Sequence, residues 1–238
     1  MNKYINDKSE YNRMNQKEIT EILDKLRKEY PDAECALEHR NVYELIVSVV
    51  LSAQTTDVSV NKVTRPRSDG KGLFDIYPTP GHLAAAKQED VMAVIKTIGM
   101  YKTKSKNIIN LSKALCSRHG GQVPENYDEL VELPGVGRKT ANVVLAVGFG
   151  HQRIAVDTHV FRVSRRIGLV EGDVTSAKSA GAAEVLATEY ALMDILPKER
   201  WSEAHHSLIR HGRECCTARN PHCDSCVIEA LCRRNGVE

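Results

Sequence analysis

The sequence lacks the two features that would direct it to a membrane. No apolar run approaches the 18 or so residues that a membrane-spanning helix needs. Residues 1–15 are polar with scattered charge, unlike a secretory signal. Together with 42% apolar and 27% charged residues, these absences predict a globular cytoplasmic protein without a membrane partner. We expect a monomer.

Strand signals are nearly absent as well, so the predicted fold class is all-α. Apolar residues instead recur at helical spacing, and Asn41 with Glu44 has the spacing of a capping box, which favours a helix for the apolar run that follows. Residues 64–81, rich in proline and glycine, are predicted to be a surface loop. The predicted helices cover residues 19–30, 45–51, 91–98, 108–116, 141–149, 158–166, 176–190 and 199–210.

Acidic residues are missing from two long tracts. Residues 91–124 contain no Asp or Glu, and residues 133–170 contain only Asp157. The basic residues in these tracts are Lys96, Lys102, Lys104, Lys106, Lys113, Arg118, Arg138, Lys139, Arg153, Arg162, Arg165 and Arg166. The pattern predicts a positive face for a polyanion, although solvated helix faces would give the same pattern.

The stretch from Leu133 to Val144 is predicted to be a sharp turn between two helices. Pro134 cannot continue the preceding helix, whereas Gly135 and Gly137 can take positive φ. Unpaired amides at the start of the next helix could hold a phosphate. Lys139 lies in the first turn of that helix, where the helix dipole favours a neutral, nucleophilic amine. A solvated or phosphate-binding cation is the alternative interpretation.

Seven cysteines in a protein without an export signal favour metal ligation over disulfides. Four of them have the spacing Cys-x6-Cys-x2-Cys-x5-Cys, which can enclose one metal centre and hold a short polar tail. The unequal gaps favour iron–sulfur over zinc. Cys215 could compete as a ligand, and Cys35 and Cys116 are predicted to be buried apolar residues. The proposed ligands are Cys216, Cys223, Cys226 and Cys232.

Four separated motifs resemble the endonuclease III family of helix-hairpin-helix DNA glycosylases. They are residues 51–62, the turn at 133–142, residues 156–162 and the cysteine loop at 216–232. The resemblance implies a six-helix barrel domain at 35–149. It also implies a second domain, made of 1–34 and 150–238, that carries a 4Fe-4S cluster. DNA would lie across the cleft between the two domains.

The resemblance also implies an activity. The family removes oxidised pyrimidines from double-stranded DNA and cleaves the strand at the resulting abasic site by β-elimination. Lys139 matches the lysine that forms the Schiff base, and Asp157 matches the catalytic aspartate. From the residues alone, Asp157 is also a good helix N-cap, and the two roles can coexist.

Further residues match DNA contacts of the family. Gly135 and Gly137 would offer backbone amides to a phosphate, and Arg138 would add charge. Gln54 would fill the gap that the extruded nucleotide leaves, and Met100 could wedge into the base stack, although it could equally be a core residue. Arg219 could reach phosphates from the cysteine loop.

Two departures from the family pattern stand out. Residues before Met14 look like an extra leader, with translation from Met14 as an alternative. The loop at residues 65–72 looks longer than in bacterial relatives, so its basic residues could contact DNA or remain solvated.

Two other functions would leave different residues in this sequence. An adenine glycosylase would need a glutamate within residues 46–51, where this sequence has none. A non-catalytic DNA-binding module would keep Gly135, Gly137 and Arg138 but would have no use for the pair Lys139 and Asp157.

Overall fold

A computed structural model describes residues 14–65, 70–174 and 180–237. Within them every regular element is helical and no strand occurs, which confirms the all-α prediction. None of these helices has both the length and the apolar character that crossing a bilayer requires. The α-helices are α1 Gln16–Glu29, α2 Val42–Leu51, α3 Asp57–Thr64, α4 Leu73–Ile76, α5 Pro80–Ala84, α6 Gln88–Ile95, α7 Tyr101–Arg118, α8 Tyr127–Val131, α9 Arg138–Val143, α10 Thr158–Ile167, α11 Ala182–Ile195 and α12 Trp201–Glu214.

The described residues fold as two compact units. One unit, here called the central unit, comprises Cys35–Arg153 and contains α2 to α9. The other, the terminal unit, takes the described residues up to Glu34 and those from Ile154 onward, so both chain ends build it. The extra leader proposed before Met14 lies outside the described residues.

The core of the central unit forms around α2, an almost wholly apolar helix. Asn41 caps it by accepting a hydrogen bond from the Glu44 amide at 2.9 Å, so the predicted helix is confirmed. The Glu44 side chain does not complete a capping box. It is buried, and its carboxylate pairs with Arg40 and Arg65. Helix α2 packs against α7, α9 and a π-helical turn at Val144–Gly148 that follows α9.

The core of the terminal unit joins the two ends of the chain. Helix α1 begins in a capping box between Asn15 and Glu18 and presents Ile22 and Leu26, both fully buried, to the core. Helix α12 packs against both α1 and α10. The loop that follows α12 contributes Ile228, which is also buried, so the cysteine segment is attached to this core.

Part of the predicted surface loop at 64–81 is folded and buried. Leu73 and Phe74 in α4 are 0% and 1% exposed. Pro80 does not mark a loop but occupies the first turn of α5, with Thr79 as N-cap, because proline fits the first helical position. Arg65 pairs with buried Glu44, so it is held away from the DNA-contacting role considered for this loop. Residues 66–69 lie outside the described residues.

The helix predicted at 176–190 lies further along the chain. Helix α11 begins after its N-cap, Gly181, and ends at Ile195. It ends before Pro197 because the residue preceding a proline is disfavoured in the helical conformation. Residues 175–179, which include the predicted start, lie outside the described residues.

Candidate active site and metal centre

The turn between α8 and α9 is a compact hairpin held by two buried anchors. Leu133 and Val136 are 2% and 6% exposed, and the Val136 amide donates to the Leu133 carbonyl at 3.0 Å. Gly135 between them has φ 81°, the left-handed conformation that glycine adopts most easily. Gly137 is the N-cap of α9. The anchors therefore keep Gly135 and Gly137 at the surface, as a backbone contact with phosphate requires.

Helix α9 displays Lys139 and fixes Arg138. Lys139 is exposed in the first turn of the helix. The guanidinium of Arg138 lies 5.7 Å from the centroid of the Tyr127 ring, and its Nη1 donates to the Tyr127 hydroxyl at 3.4 Å. Arg153 lies over the same ring at 5.8 Å. Tyr127 thus organises two arginines beside the exposed lysine, a role that nothing in the sequence pattern indicated.

Gln54 and Met100 share an unusual backbone conformation. Gln54 has φ 54° and Met100 has φ 56°, although left-handed backbone is uncommon for residues other than glycine. Both side chains are exposed, and Met100 is one of few large apolar residues at the described surface, with 48% exposure. The alternative that Met100 is a core residue is therefore wrong.

The segments that carry Gln54, Met100 and Gly135 converge in the central unit. A Cβ added to Gly135 would lie 3.2 Å from Cγ1 of Val50, near the end of α2, and 3.1 Å from Cβ of Asn107 in α7. The hairpin therefore packs against the end of α2, which leads to the Gln54 turn, and against α7, which follows Met100. This surface could bind an extended polyanion, with backbone amides at the hairpin and protruding side chains beside it.

Asp157 belongs to the terminal unit, where it begins α10. Its Oδ1 accepts from the amides of His159 and Val160, both at 2.8 Å, which confirms the predicted N-cap. The cap does not use Oδ2, so one carboxylate oxygen remains for another function. Lys139 belongs to the central unit.

Three of the six basic residues in the second tract, at 133–170, are buried inside the protein. Arg162, Arg165 and Arg166 in α10 are at most 9% exposed, so they do not form the positive face that the sequence predicted. They turn inward because backbone carbonyls and carboxylates compensate their charge: Arg165, for example, pairs with Glu184 at 2.6 Å. In the first tract Lys104 is also buried, whereas the other five basic residues are exposed.

The four proposed ligands line one cavity in the terminal unit. The cavity encloses about 310 Å³ of empty space that is partly open to solvent, and all four cysteines are free thiols. Hydrogen-bond donors lie near two of the four sulfur atoms. Arg166 Nη1 lies 3.7 Å from Sγ of Cys216, and the Arg234 amide lies 3.4 Å from Sγ of Cys232. This donor set fits an iron–sulfur cluster, whose thiolate ligands are anionic and are stabilised by such donors.

Buried arginines also hold the loop that carries the first ligand. Arg166 donates to the carbonyls of Thr217 at 2.6 Å and Ala218 at 2.9 Å, and Arg162 donates to the Cys216 carbonyl at 3.0 Å. Sequence reasoning missed these two residues because it assigned them to a DNA-facing surface. Arg219 follows immediately and is exposed.

The remaining cysteines divide by location. Cys215 lies in the same cavity and donates to the His222 carbonyl at 3.4 Å, and burial raises the pKa of its thiol to about 12. Cys35 is half-buried, as an apolar residue can be, but Cys116 is exposed near the end of α7, so its prediction as a buried residue is wrong.

Residues 47–188 match the family described as HhH-GPD superfamily base excision DNA repair proteins. Residues 216–232 match the iron-sulfur binding domain of endonuclease III. Endonuclease III of Bacillus subtilis strain 168 is 48% identical over 220 residues, which cover 92% of this chain and 94% of the relative. The chain belongs to the endonuclease III family. It is therefore a DNA glycosylase of base excision repair, and the prediction of an iron–sulfur cluster at 216–232 is confirmed.

Other relatives agree with this assignment. Endonuclease III of Escherichia coli K12 is 43% identical and covers 92% of this chain and 96% of its own length. A solved structure described as a trapped endonuclease III-DNA covalent intermediate has a TM-score of 0.81, 46% identity and coverage of 93% of this chain and 97% of that chain. A thermostable thymine-DNA glycosylase, 21% identical with a TM-score of 0.77, shares the fold.

Proposed function

We propose that this protein removes oxidised pyrimidines from double-stranded DNA and then cleaves the strand at the abasic site. The observation that carries this proposal is the exposed Lys139 in the first turn of α9, directly after the glycine hairpin. A lysine that performs chemistry must be reachable by a nucleotide, whereas a structural lysine would be paired or covered. The similar endonuclease III that was trapped as a covalent intermediate with DNA supports a covalent route.

The reaction begins when the target nucleotide is extruded from the duplex. The neutral amine of Lys139 attacks C1′, and the glycosidic bond breaks with its electron pair leaving on the damaged base, which takes up a proton. Opening of the sugar ring then gives a Schiff base between C1′ and Nζ. Loss of a proton from C2′ lets the bond between C3′ and its phosphate oxygen break, which is β-elimination. Water finally hydrolyses the Schiff base and frees the lysine.

Asp157 would assist the first step. Its Oδ2 is not used by the helix cap, so it can accept a proton from the amine or stabilise the cationic sugar in the transition state. Because the cap fixes Oδ1 through two backbone amides, the carboxylate is held in one orientation. Catalysis and capping would then use different oxygens of the same side chain.

The remaining contacts would position the DNA. The amides at Gly135 and Gly137 would bind a phosphate near the lesion, and Arg138, held by Tyr127, would add charge. Gln54 and Met100 would occupy the space left in the stack. In the terminal unit, the exposed Arg219 would contact a phosphate on the same duplex; that is, one monomer would bind DNA with both units.

A further set of residues would hold the 4Fe-4S cluster. Cys216, Cys223, Cys226 and Cys232 would be its ligands in the domain expected at 1–34 and 150–238. The cluster would stabilise the loop that carries Arg219, because four thiolate bonds would add to the anchorage that buried Ile228 and the two arginines give this short segment. The domain at 35–149 would carry the hairpin and the lysine.

Borohydride trapping tests the mechanism, since reduction of a Schiff base joins protein and DNA irreversibly. With a duplex that contains an oxidised pyrimidine or an abasic site, we expect a covalent adduct. Lys139→Gln should abolish the adduct while the affinity for DNA is retained. Lys113→Gln, which removes an exposed lysine from α7, is the matched control and should still be trapped.

Two results would refute this assignment. If DNA binds but no adduct forms, the Schiff-base mechanism is wrong. If Lys139→Gln is trapped as efficiently as the parent protein, another residue is the nucleophile. Comparing oxidised pyrimidine, oxidised purine and undamaged duplexes tests the substrate class, and the mass of the complex in solution tests the monomer.

A further inference from the structure

Lys104 is a buried lysine without a role in the proposed chemistry. It lies in the first turn of α7 and is 3% exposed, although lysine is rarely covered to this extent. Its Nζ donates to Oγ1 of Thr55 at 2.5 Å. Burial lowers the pKa of this ammonium, which shows that covering it works against its charge. Because burial disfavours the charge of the Lys104 ammonium, its position in the interior indicates a function.

The partner of Lys104 closes the turn that carries Gln54. The Thr55 amide donates to the Ser52 carbonyl at 3.0 Å, and Oγ1 of Thr55 donates to the Ala53 carbonyl at 3.5 Å. The Thr55 hydroxyl therefore accepts from Lys104 and donates back into the turn. Gln54 lies between these bonds in its left-handed conformation. Such a conformation persists only when surrounding bonds hold it.

Lys104 also binds the segment that carries Met100. Its backbone amide donates to the Met100 carbonyl at 2.9 Å, which is the first hydrogen bond of α7. The same turn is fixed from α6, where Nε2 of Gln88 donates to the Lys102 carbonyl at 3.1 Å. One residue thus binds Met100 through its backbone and the Gln54 turn through its side chain.

We propose that Lys104 is a positioning residue that couples the Gln54 and Met100 turns, so that both side chains enter the base stack together. This inference rests on the proposed function, in which these two residues replace the extruded nucleotide. Because its amine is covered, Lys104 acts through Thr55 and not through a phosphate. Extrusion of the nucleotide, and not the later bond cleavage, is the step that depends on it.

The test uses two variants that each remove the same hydrogen bond. Lys104→Met keeps the length of the apolar stem but has no ammonium, and Thr55→Val keeps the shape of threonine but has no hydroxyl. Lys87→Met is the matched control, because it removes an exposed lysine of the same unit that lies outside both basic tracts. Thermal unfolding and the visible absorption of the full protein show that each variant is folded.

Two measurements separate extrusion from chemistry. The first is the fluorescence of a 2-aminopurine placed opposite the lesion, which increases when the base loses its stacking. The second is the single-turnover rate on a paired duplex and on a duplex whose pairs around the abasic site are mismatched. We expect Lys104→Met and Thr55→Val each to reduce the fluorescence increase and the paired-duplex rate about tenfold, as for the loss of one charge-assisted hydrogen bond. The double variant should lose no more than either single variant.

On the mismatched duplex, where stacking is already weakened, the rates should return to within about twofold of the parent protein, because the chemistry is intact. Three results would overturn the inference. They are equal losses of rate on both duplexes, additive losses of rate in the double variant, and an unchanged rate on the paired duplex. An equal loss in Lys87→Met would do so as well. If the parent protein itself forms no borohydride adduct, the proposed function fails instead, so the two failures are distinguishable.

Discussion

Replacing Gly135 by alanine should destabilise the central unit strongly, because two separate costs fall on one residue. The backbone at Gly135 has φ 81°, where an L side chain costs about 1–2 kcal/mol. The added Cβ would also lie 3.1 Å from Cβ of Asn107 and 3.2 Å from Cγ1 of Val50. Crowding in a well-packed site costs about 1–3 kcal/mol. We expect the free energy of unfolding to fall by roughly 2–5 kcal/mol.

Two other glycines provide controls that separate these costs. Gly120 has φ 59° but no atom within 4 Å of an added Cβ, so Gly120→Ala should pay only the backbone cost of about 1–2 kcal/mol. Gly137 has φ −101° and no such neighbour, so Gly137→Ala should incur neither cost and lose only the N-cap preference for glycine, about 0.5–1 kcal/mol. All three variants add the same methyl group, each in different surroundings.

Urea denaturation followed by two probes measures the effect. Far-ultraviolet circular dichroism reports both units, whereas Trp201, the one tryptophan of the chain, lies in the terminal unit. A loss confined to the central unit should shift the circular-dichroism transition and leave the fluorescence transition in place. If Gly135→Ala is no less stable than Gly120→Ala, the close approach of α2, α7 and the hairpin does not constrain this position, and the reasoning is refuted.

Three further predictions concern charge and the cluster. Burial opposes the charge of Glu44, but hydrogen bonds from Arg40 and Arg65 outweigh it and lower its pKa. The carboxylate's contribution is therefore complete above the ordinary pKa of 4.5 and is lost as pH falls through the folded-state value. Glu44→Gln should cost about 2–3 kcal/mol at neutral pH and weaken this acid dependence, as urea titrations at several pH values would show. Cys226→Ser should abolish the visible absorption of the cluster, whereas Cys116→Ser should retain it; absorption retained in both would rule out Cys226 as a ligand. The logarithm of the DNA association constant should fall linearly with the logarithm of the salt concentration, with a slope of about −0.9 for each phosphate that the protein neutralises. An affinity that does not change with salt would exclude a basic binding face.

Local signals in the sequence were sufficient to place helix ends. Asn41 and Asp157 each cap the helix that their position predicted, because a capping side chain bonds amides two or three residues away. The hairpin glycines are similarly local, since φ at Gly135 depends on the turn between two adjacent helices. These features could be predicted because their partners are close in the chain.

Burial of charge could not be predicted in the same way. Arg166 looks like part of a basic surface in the sequence, yet its partner Thr217 lies 51 residues later. Lys104 differs from its exposed neighbours Lys102 and Lys106 only in facing Thr55, 49 residues away. Charge patterns count residue types, whereas the exposure of each residue depends on tertiary partners.

The way both chain ends build the terminal unit sets an order for folding during synthesis. The hydroxyl of Tyr30 binds Nδ1 of His211, 181 residues later, and α1 packs against α12, which carries this histidine. At 5–20 residues per second, α1 leaves the ribosome roughly 10–40 s before its partners. The central unit can fold in that interval, while α1 remains without a core. The cysteine loop follows α12 in the chain, so the cluster can be inserted only after α12, a partner of α1, has been made.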